Sequence, residues 1–218
     1  MALSIIVSYD GTTHDDDALV LGRMLAKAGA TLSLAYVRHS REYDPRREEI
    51  GQHDAERRLE QGATWLGDAS VTRHIVVDPS TSAGLAKLAE SESADLVIFG
   101  SDYRTPPGHV EPGGSAQGLL NGGAVAVGVA AAGLRIDQDA AIKTIGASGD
   151  GAAGQTAEAL APALGAEVVS GVNADLILVD SRNGGPAGHV ELDGATRARL
   201  DSARGSVLVL PGGSPLSL

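Results

Sequence analysis

The chain has 218 residues, enough for one large domain or two small ones, and its 43% hydrophobic content supports a real core. Only 3% of residues are aromatic, so that core is built from Ala, Val, Leu and Ile, which suits helices packed on a parallel sheet. The 28 acidic against 17 basic residues give a formal net charge of −11, which disfavours nucleic acid and anionic membrane as partners; with no cysteine at all, disulfides, thiolate metal sites and Cys nucleophiles are excluded, in agreement with a cytoplasmic protein.

Residues 4–8 form a short apolar strand closed by Asp10-Gly11. Residues 15–28 place Ala18, Leu21, Leu25 and Ala28 on one helical face, and Gly29 ends that helix. A second strand spans 31–37. Residues 42–66 make a long polar helix whose charges, from Arg46 to Glu60, read as a solvated face with i,i+4 pairs. A third strand (71–77), a third helix (81–92) and a fourth strand (95–99) follow. After a Gly/Pro-rich loop come a short helix at about 114–120 and a strand at 124–129. Strands separated by helices imply parallel pairing with right-handed crossovers. The apolar runs at 3–7 and 119–134 are too short for a signal-peptide core and a membrane span respectively.

An internal repeat organises the whole chain. Ala94-Asp-Leu96 recurs as Ala174-Asp-Leu176, and Gly108-His-Val-Glu111 recurs as Gly188-His-Val-Glu191 at the same offset of 80. Ser8-Tyr-Asp-Gly11 answers to Ser148-Gly-Asp-Gly151 at an offset of 140. The second copy has therefore lost about 60 residues from its middle. These are the long polar helix, the third strand and the third helix, a loss expected to remove the outer sheet edge and one helical layer.

In an open parallel sheet the ligand crevice lies at the carboxyl ends of strands, where the winding reverses. The turns after strands one and four, Asp10-Gly11-Thr12 and the loop from Gly100 to Gly114, flank that point. Glycines there allow close backbone approach to a phosphate, and Gly113-Gly114-Ser115 opens a helix; the same glycines also suit a purely structural turn. The run His14-Asp-Asp-Asp17 is read as acids complementing a helix dipole rather than as a metal cluster. The twins His109/Glu111 and His189/Glu191 are read as inherited loop residues, and Arg38, His39 and Arg41 as a solvated loop near the crevice mouth. No Walker-type Gly-Lys-[Ser/Thr], Ser-His-Asp or paired-carboxylate motif supports a hydrolase.

Three segments together resemble the universal stress proteins: Tyr9-Asp-Gly-Thr12, Ala94 to Ser101 and Val110 to Ala116. The resemblance covers nearly all of residues 1–130 and, in degraded form, 142–210, and is greatest to tandem-domain members. It implies an α/β fold: two doubly wound, Rossmann-like parallel-sheet domains of strand order 3-2-1-4-5, at residues 1–134 and 140–212, the second truncated. Many members of that family bind ATP through Gly-x2-Gly-x9-Gly-[Ser/Thr] and the acid after strand one, and others bind none. Carried onto this chain, the resemblance makes Asp10 the adenosine-side acid, with Gly11 and Thr12 beside it, and Val37 the residue whose backbone meets adenine. Gly100 and Gly113 become the first and third glycines. Tyr103 stands at the second glycine and Gly114 at the Ser/Thr position, with Ser115 one place later. The second copy has Asn183, Asp193 and Gly194 at the last three positions, and is expected to bind nothing.

The expectation is a stress-response regulatory protein without catalytic machinery. Its first domain would carry a degenerate adenine-nucleotide site, for ATP or AMP, with no metal. A nucleotide-free interaction module, its crevice filled by Tyr103, and an ATP binder with slow hydrolysis stay open as alternatives. The two copies are expected to form an intramolecular pseudo-dimer through the last strand of each, around residues 124–129 and 207–210, and a further homodimer is compatible with the sequence.

Overall fold

The computed structural model describes residues 2–137, 139–171, 173–182 and 185–217. The first half runs β1 (Ser4–Ser8), α1 (Thr13–Ala26), β2 (Thr31–Arg38), α2 (Pro45–Leu66), β3 (Thr72–Val77), α3 (Thr81–Ser91), β4 (Leu96–Phe99), α4 (Gly114–Leu120) and β5 (Ala126–Val129). A 3₁₀ turn at Leu134–Ile136 leads into β6 (Thr144–Ala147), α5 (Ala152–Leu164), β7 (Glu167–Val169), β8 (Asn173–Asp180), α6 (Gly194–Ser202) and β9 (Arg204–Leu210).

Among the described residues the nine strands form one sheet in the order β3-β2-β1-β4-β5-β9-β8-β6-β7. The first five obey the order 3-2-1-4-5, and the last four repeat it without an outermost strand. Every neighbouring pair is parallel except β5 and β9, which run antiparallel with Val127 opposite Val209, Gly128 opposite Leu208 and Val129 opposite Val207. Each of these two strands would otherwise present a row of unpaired backbone groups to solvent.

The period-two alternation of the strands sends their side chains into two apolar layers. Ile5, Val7, Leu96, Ile98, Ile145, Leu176, Leu178 and Leu208 pack under α1, α2 and α5. Ile6, Val97, Phe99, Val127, Ile177, Val179, Val207 and Val209 pack under α3, α4 and α6. Both layers run unbroken through the β5–β9 junction. The second half lacks counterparts of α2 and α3, which lie on opposite faces of the sheet, so the deletion removed one helix from each layer rather than one whole layer. On the α3 side the chain covers the bare sheet with a loop: a Cβ on Gly146 would stand 2.5 Å from the Gly171 carbonyl oxygen, so only glycine fits beneath that crossing.

The repeated sequence segments make repeated hydrogen bonds. The Ser101 hydroxyl donates to the Ala130 carbonyl at 2.7 Å and accepts from the Glu111 N–H at 3.3 Å; Ser181 does the same with Leu210 at 2.7 Å and Glu191 at 3.2 Å. Asp95 accepts the Ser4 N–H at 2.8 Å, and Asp175 accepts those of Lys143 and Thr144 at 2.9 Å. These aspartates satisfy strand-end donors that the ladder leaves open. The twin Gly-His-Val-Glu loops brace the ends of the last strands: Gly108 donates to Ala132, and Gly188 to Gly212, both at 2.8 Å. Val190 also exchanges backbone bonds with Gly122 and Gly123 across the junction, at 2.8 and 2.7 Å.

Two helix starts differ from the sequence reading. Helix α1 begins at Thr13 because Thr12 caps it in a capping box with Asp15. Helix α2 begins at Pro45, where Asp44 accepts the Arg46 N–H at 2.8 Å and proline occupies the first turn.

Candidate functional site

A cavity of about 350 Å³ opens at the carboxyl ends of β1, β2 and β4, the point where the winding reverses. Ser8, Tyr9 and Asp10 line it at the end of β1, Ala35, Tyr36 and Val37 along β2 with His39 just beyond it, and Phe99 and Gly100 at the end of β4. Gly113 to Ala116 close one side, Thr81 at the start of α3 another, and Arg58 and Asp15 enter from α2 and α1.

The glycines differ in what holds them. A Cβ on Gly100 would stand 2.2 Å from the His14 carbonyl oxygen, so packing of β4 against α1 requires glycine there. At Gly113 and Gly114 an added Cβ would meet nothing within 4 Å, and Gly113 has an ordinary φ of −66°. Neither the backbone nor the chain's own packing calls for glycine at those two positions. Both line the cavity, and an added Cβ at either would stand in open space.

The opposite wall is acidic. One Asp15 carboxylate oxygen accepts the N–H of Asp10 at 3.1 Å, the N–H of Thr12 at 3.0 Å and the Thr12 hydroxyl at 2.9 Å. Asp10 accepts the Thr12 N–H at 3.2 Å. Burial, followed by the neighbouring Asp10 carboxyl, pushes Asp15 up to about 8. Burial likewise raises Asp16, and raises Tyr9, whose phenol donates to Asp16 at 3.3 Å. Arg58 donates to the Asp10 carbonyl and lies over the Tyr36 ring, 5.5 Å from its centroid.

Of the residues singled out in the sequence, Asp10, Val37, Gly100, Gly113, Gly114 and Ser115 come together around this cavity. Gly11 and Thr12 do not line it: Gly11 makes the turn with φ +88°, and Thr12 caps α1. Tyr103 does not reach inward. Asp102 accepts the Arg104 N–H at 3.1 Å and turns the chain, leaving Tyr103 63% exposed with the Arg104 guanidinium 4.9 Å from its ring centroid. Of the basic residues after β2, His39 lines the cavity, whereas Arg38 is buried in a two-pronged pair with Glu48 at 2.8 and 3.0 Å.

The sequence reading missed Asp15 and Arg58. The aspartates of α1 divide their work: Asp15 faces the cavity, Asp16 holds Tyr9, and Asp17 reaches the linker. Asp17 is fully buried and accepts the backbone N–H groups of Gly133 at 3.0 Å and Arg135 at 2.7 Å, and the Arg135 guanidinium at 2.6 Å. Arg58, taken for part of a solvated face, leaves that face for the cavity, while Arg57 pairs with Asp54 at 2.8 Å on the outside. Among the described residues no group of three His, Cys, Asp or Glu side chains could hold a metal ion.

The second half has a cleft at the equivalent place, of about 590 Å³. Asp180 stands where the first half has Gly100 and accepts the Ala153 N–H, in the first turn of α5, at 2.8 Å. Asp193 stands where the first half has Gly113 and accepts the Thr196 N–H of α6 at 2.8 Å. Those bonds from Thr196 hold the Asp193 carboxyl below its ordinary value. Both helix starts facing this cleft thus already bond a carboxylate of the chain itself. Asn183 lies outside the described residues.

Residues 1–129 match the Universal stress protein family. A universal stress protein from Archaeoglobus fulgidus DSM 4304 superposes with a TM-score of 0.61 at 17% identity, covering 95% of this chain and 98% of that one. A putative universal stress protein from Pseudomonas aeruginosa UCBPP-PA14 gives a TM-score of 0.63 at 15% identity, over 96% and 93% of the two chains. At such identities the likeness concerns the fold. No curated protein matches the chain. Among the described residues no helix is long and apolar enough to cross a membrane.

Proposed function

The chain belongs to the universal stress protein family, and we propose that its first half is a receptor for an adenine nucleotide, acting by binding without chemistry. The observation that carries this reading is the open cavity at the ends of β1 and β4, walled on one side by the unobstructed glycines 113 and 114. The base would lie along Tyr36 and Val37, the ribose against Asp10, and phosphate against the backbone from Gly113 to Ser115. Flat apolar contact, a hydrogen-bond acceptor and close backbone approach are what those three parts of a nucleotide need. The outward Tyr103 supports this reading over a nucleotide-free module whose crevice the ring would fill.

The second half is then the docking partner, pairing β9 with β5 while Asp180 and Asp193 take up the backbone donors of its own cleft. The test is to denature the purified chain and analyse released nucleotide, then to titrate the nucleotide-free chain with ATP and AMP. Binding of one nucleotide per chain is expected. No release, and no binding at millimolar nucleotide, would remove the proposal.

A further inference from the structure

Arg58 is held differently from the ion-paired arginines of the chain. Arg38, Arg57, Arg73, Arg135 and Arg182 each hold a carboxylate. Arg58 lines the cavity together with Asp10 and Asp15, yet its guanidinium donates to the Asp10 carbonyl and lies over the Tyr36 ring. The packing of α2 puts it there. Gly62, one turn further along, lets the helix approach the sheet closely: a Cβ at that position would stand 3.0 Å from Leu34 Cδ1 and from Tyr9 Cε1. Arg58 then runs along the Gly11 turn, where a Cβ on Gly11 would lie 3.5 Å from its Nη1 and 3.6 Å from its Cγ.

The guanidinium therefore touches both Tyr36 and Asp10, the walls assigned above to base and ribose. Two flat groups in direct contact lie about 3.5–4 Å apart, and a flat group held between two others needs about 7 Å. The guanidinium carbon of Arg58 stands 5.5 Å from the Tyr36 centroid, between those two spacings. A withdrawal of about 1.5 Å opens a slot for one planar ring. Five N–H donors let another nitrogen of Arg58 keep the Asp10 carbonyl after that movement.

We infer that Arg58 and Tyr36 form a two-sided clamp for the base of the ligand, the phenol ring taking one face and the guanidinium the other. The inference rests on the nucleotide reading above and adds the residue that holds the base from the α2 side. Nucleobases stack on aromatic rings and on guanidinium planes alike, whereas a lysine ammonium offers charge without a plane. The contact is to the base, so it serves nucleoside and nucleotide equally.

The test is calorimetric titration of the full chain, and of its Arg58→Ala and Arg58→Lys variants, with adenosine, AMP and ATP. Arg58→Ala is expected to weaken all three at least fivefold and by the same factor. Arg58→Lys keeps the stem that packs on Gly11, and with it the fold, but is expected to bind more like the alanine variant than like the wild type. In the wild type the Arg58 side-chain Nε–H resonance should shift on adding adenosine, because the base then lies against it. Unchanged or tighter adenosine binding in Arg58→Ala, or an unmoved resonance, overturns the clamp while leaving the nucleotide receptor standing. A loss confined to AMP and ATP also overturns it, since that pattern puts the guanidinium on phosphate. If the wild-type chain binds none of the three at millimolar concentration, the receptor reading itself fails and the clamp with it.

Discussion

Gly128 and Leu208 are paired across the antiparallel junction, and the leucine side chain occupies the room the glycine leaves. A Cβ on Gly128 would stand 2.9 Å from Leu208 Cδ2 and 3.1 Å from Ile98 Cγ1. Gly128→Ala should therefore overpack the junction and destabilise the chain by about 1–3 kcal/mol. Leu208→Ala should cost about 2–5 kcal/mol through the cavity it leaves. In the double variant the methyl on residue 128 no longer meets the leucine, so the combined loss should fall short of the sum. Urea unfolding of the four proteins checks this, and additive losses would show that the two residues do not share the space.

Asp17 ties α1 to the linker between the halves. Asp17→Ala would leave two backbone donors and the Arg135 guanidinium without their shared acceptor, Arg135 being 29% exposed. Because Arg135 can partly rehydrate, the loss should lie near the lower end of the range for broken buried pairs, about 3 kcal/mol. Hydrogen exchange should localise the effect to Gly133 and Arg135, whose amides are expected to lose protection; unchanged protection there would contradict the clamp.

Asp15 holds its proton to about pH 8, against an ordinary value of 3.8. The folded chain therefore binds a proton that the unfolded chain has released. The associated stability is fully present below pH 3.8 and is lost as pH rises through about 8. Asp15→Asn keeps a hydrogen-bond acceptor for Asp10 and Thr12 but removes the titration. The wild-type chain should thus lose stability relative to the variant between pH 5 and pH 8.5. Carbon-13 titration of the carboxyls should show the same group directly, moving toward its ordinary value in Asp10→Asn. A flat stability difference across that interval would contradict the shared site.

Gly114 separates a folding role from a binding one. Its Cβ position is open, so Gly114→Val should change stability by no more than about 0.5 kcal/mol, as for an unconstrained surface site. The same isopropyl group intrudes on the wall proposed for phosphate and should weaken AMP binding at least tenfold. Unaltered affinity would place the phosphate elsewhere.

The strand order came with the family resemblance, and the position of the lost segment was legible because the repeat reports it: loop and strand-end residues such as Ser101/Ser181 and Asp95/Asp175 make equivalent hydrogen bonds in both halves. Asp10, Val37, Gly113 and Gly114 were placed by the motif positions carried over with that resemblance: Asp10 follows β1, Val37 lies near the end of β2, and the two glycines open α4. Arg58 was not. It enters the cavity from a helix 48 residues away, and helical periodicity distinguishes a buried stripe from a wet face without saying which wet residue meets a crevice. Tyr103 was misplaced because a gapless register treats a loop as a rigid template, whereas the turn made by Asp102 points its ring outward. The three acids of α1 looked alike in composition and differ only in direction, about 100° apart around the helix.

The Gly128–Leu208 pair also bears on how the two halves are joined. A true two-fold axis obliges a residue lying on it to face its own copy. Two glycines at that point would leave a void, and two leucines would collide. Only unlike halves can place one of each there, so the junction suits β5 against β9 and disfavours either strand against itself. Covalent linkage keeps such unlike partners in strict one-to-one supply and at a local concentration that dilution cannot change. The asymmetry at this residue pair thus suits two unlike halves carried in one chain, free to diverge because neither has to match itself.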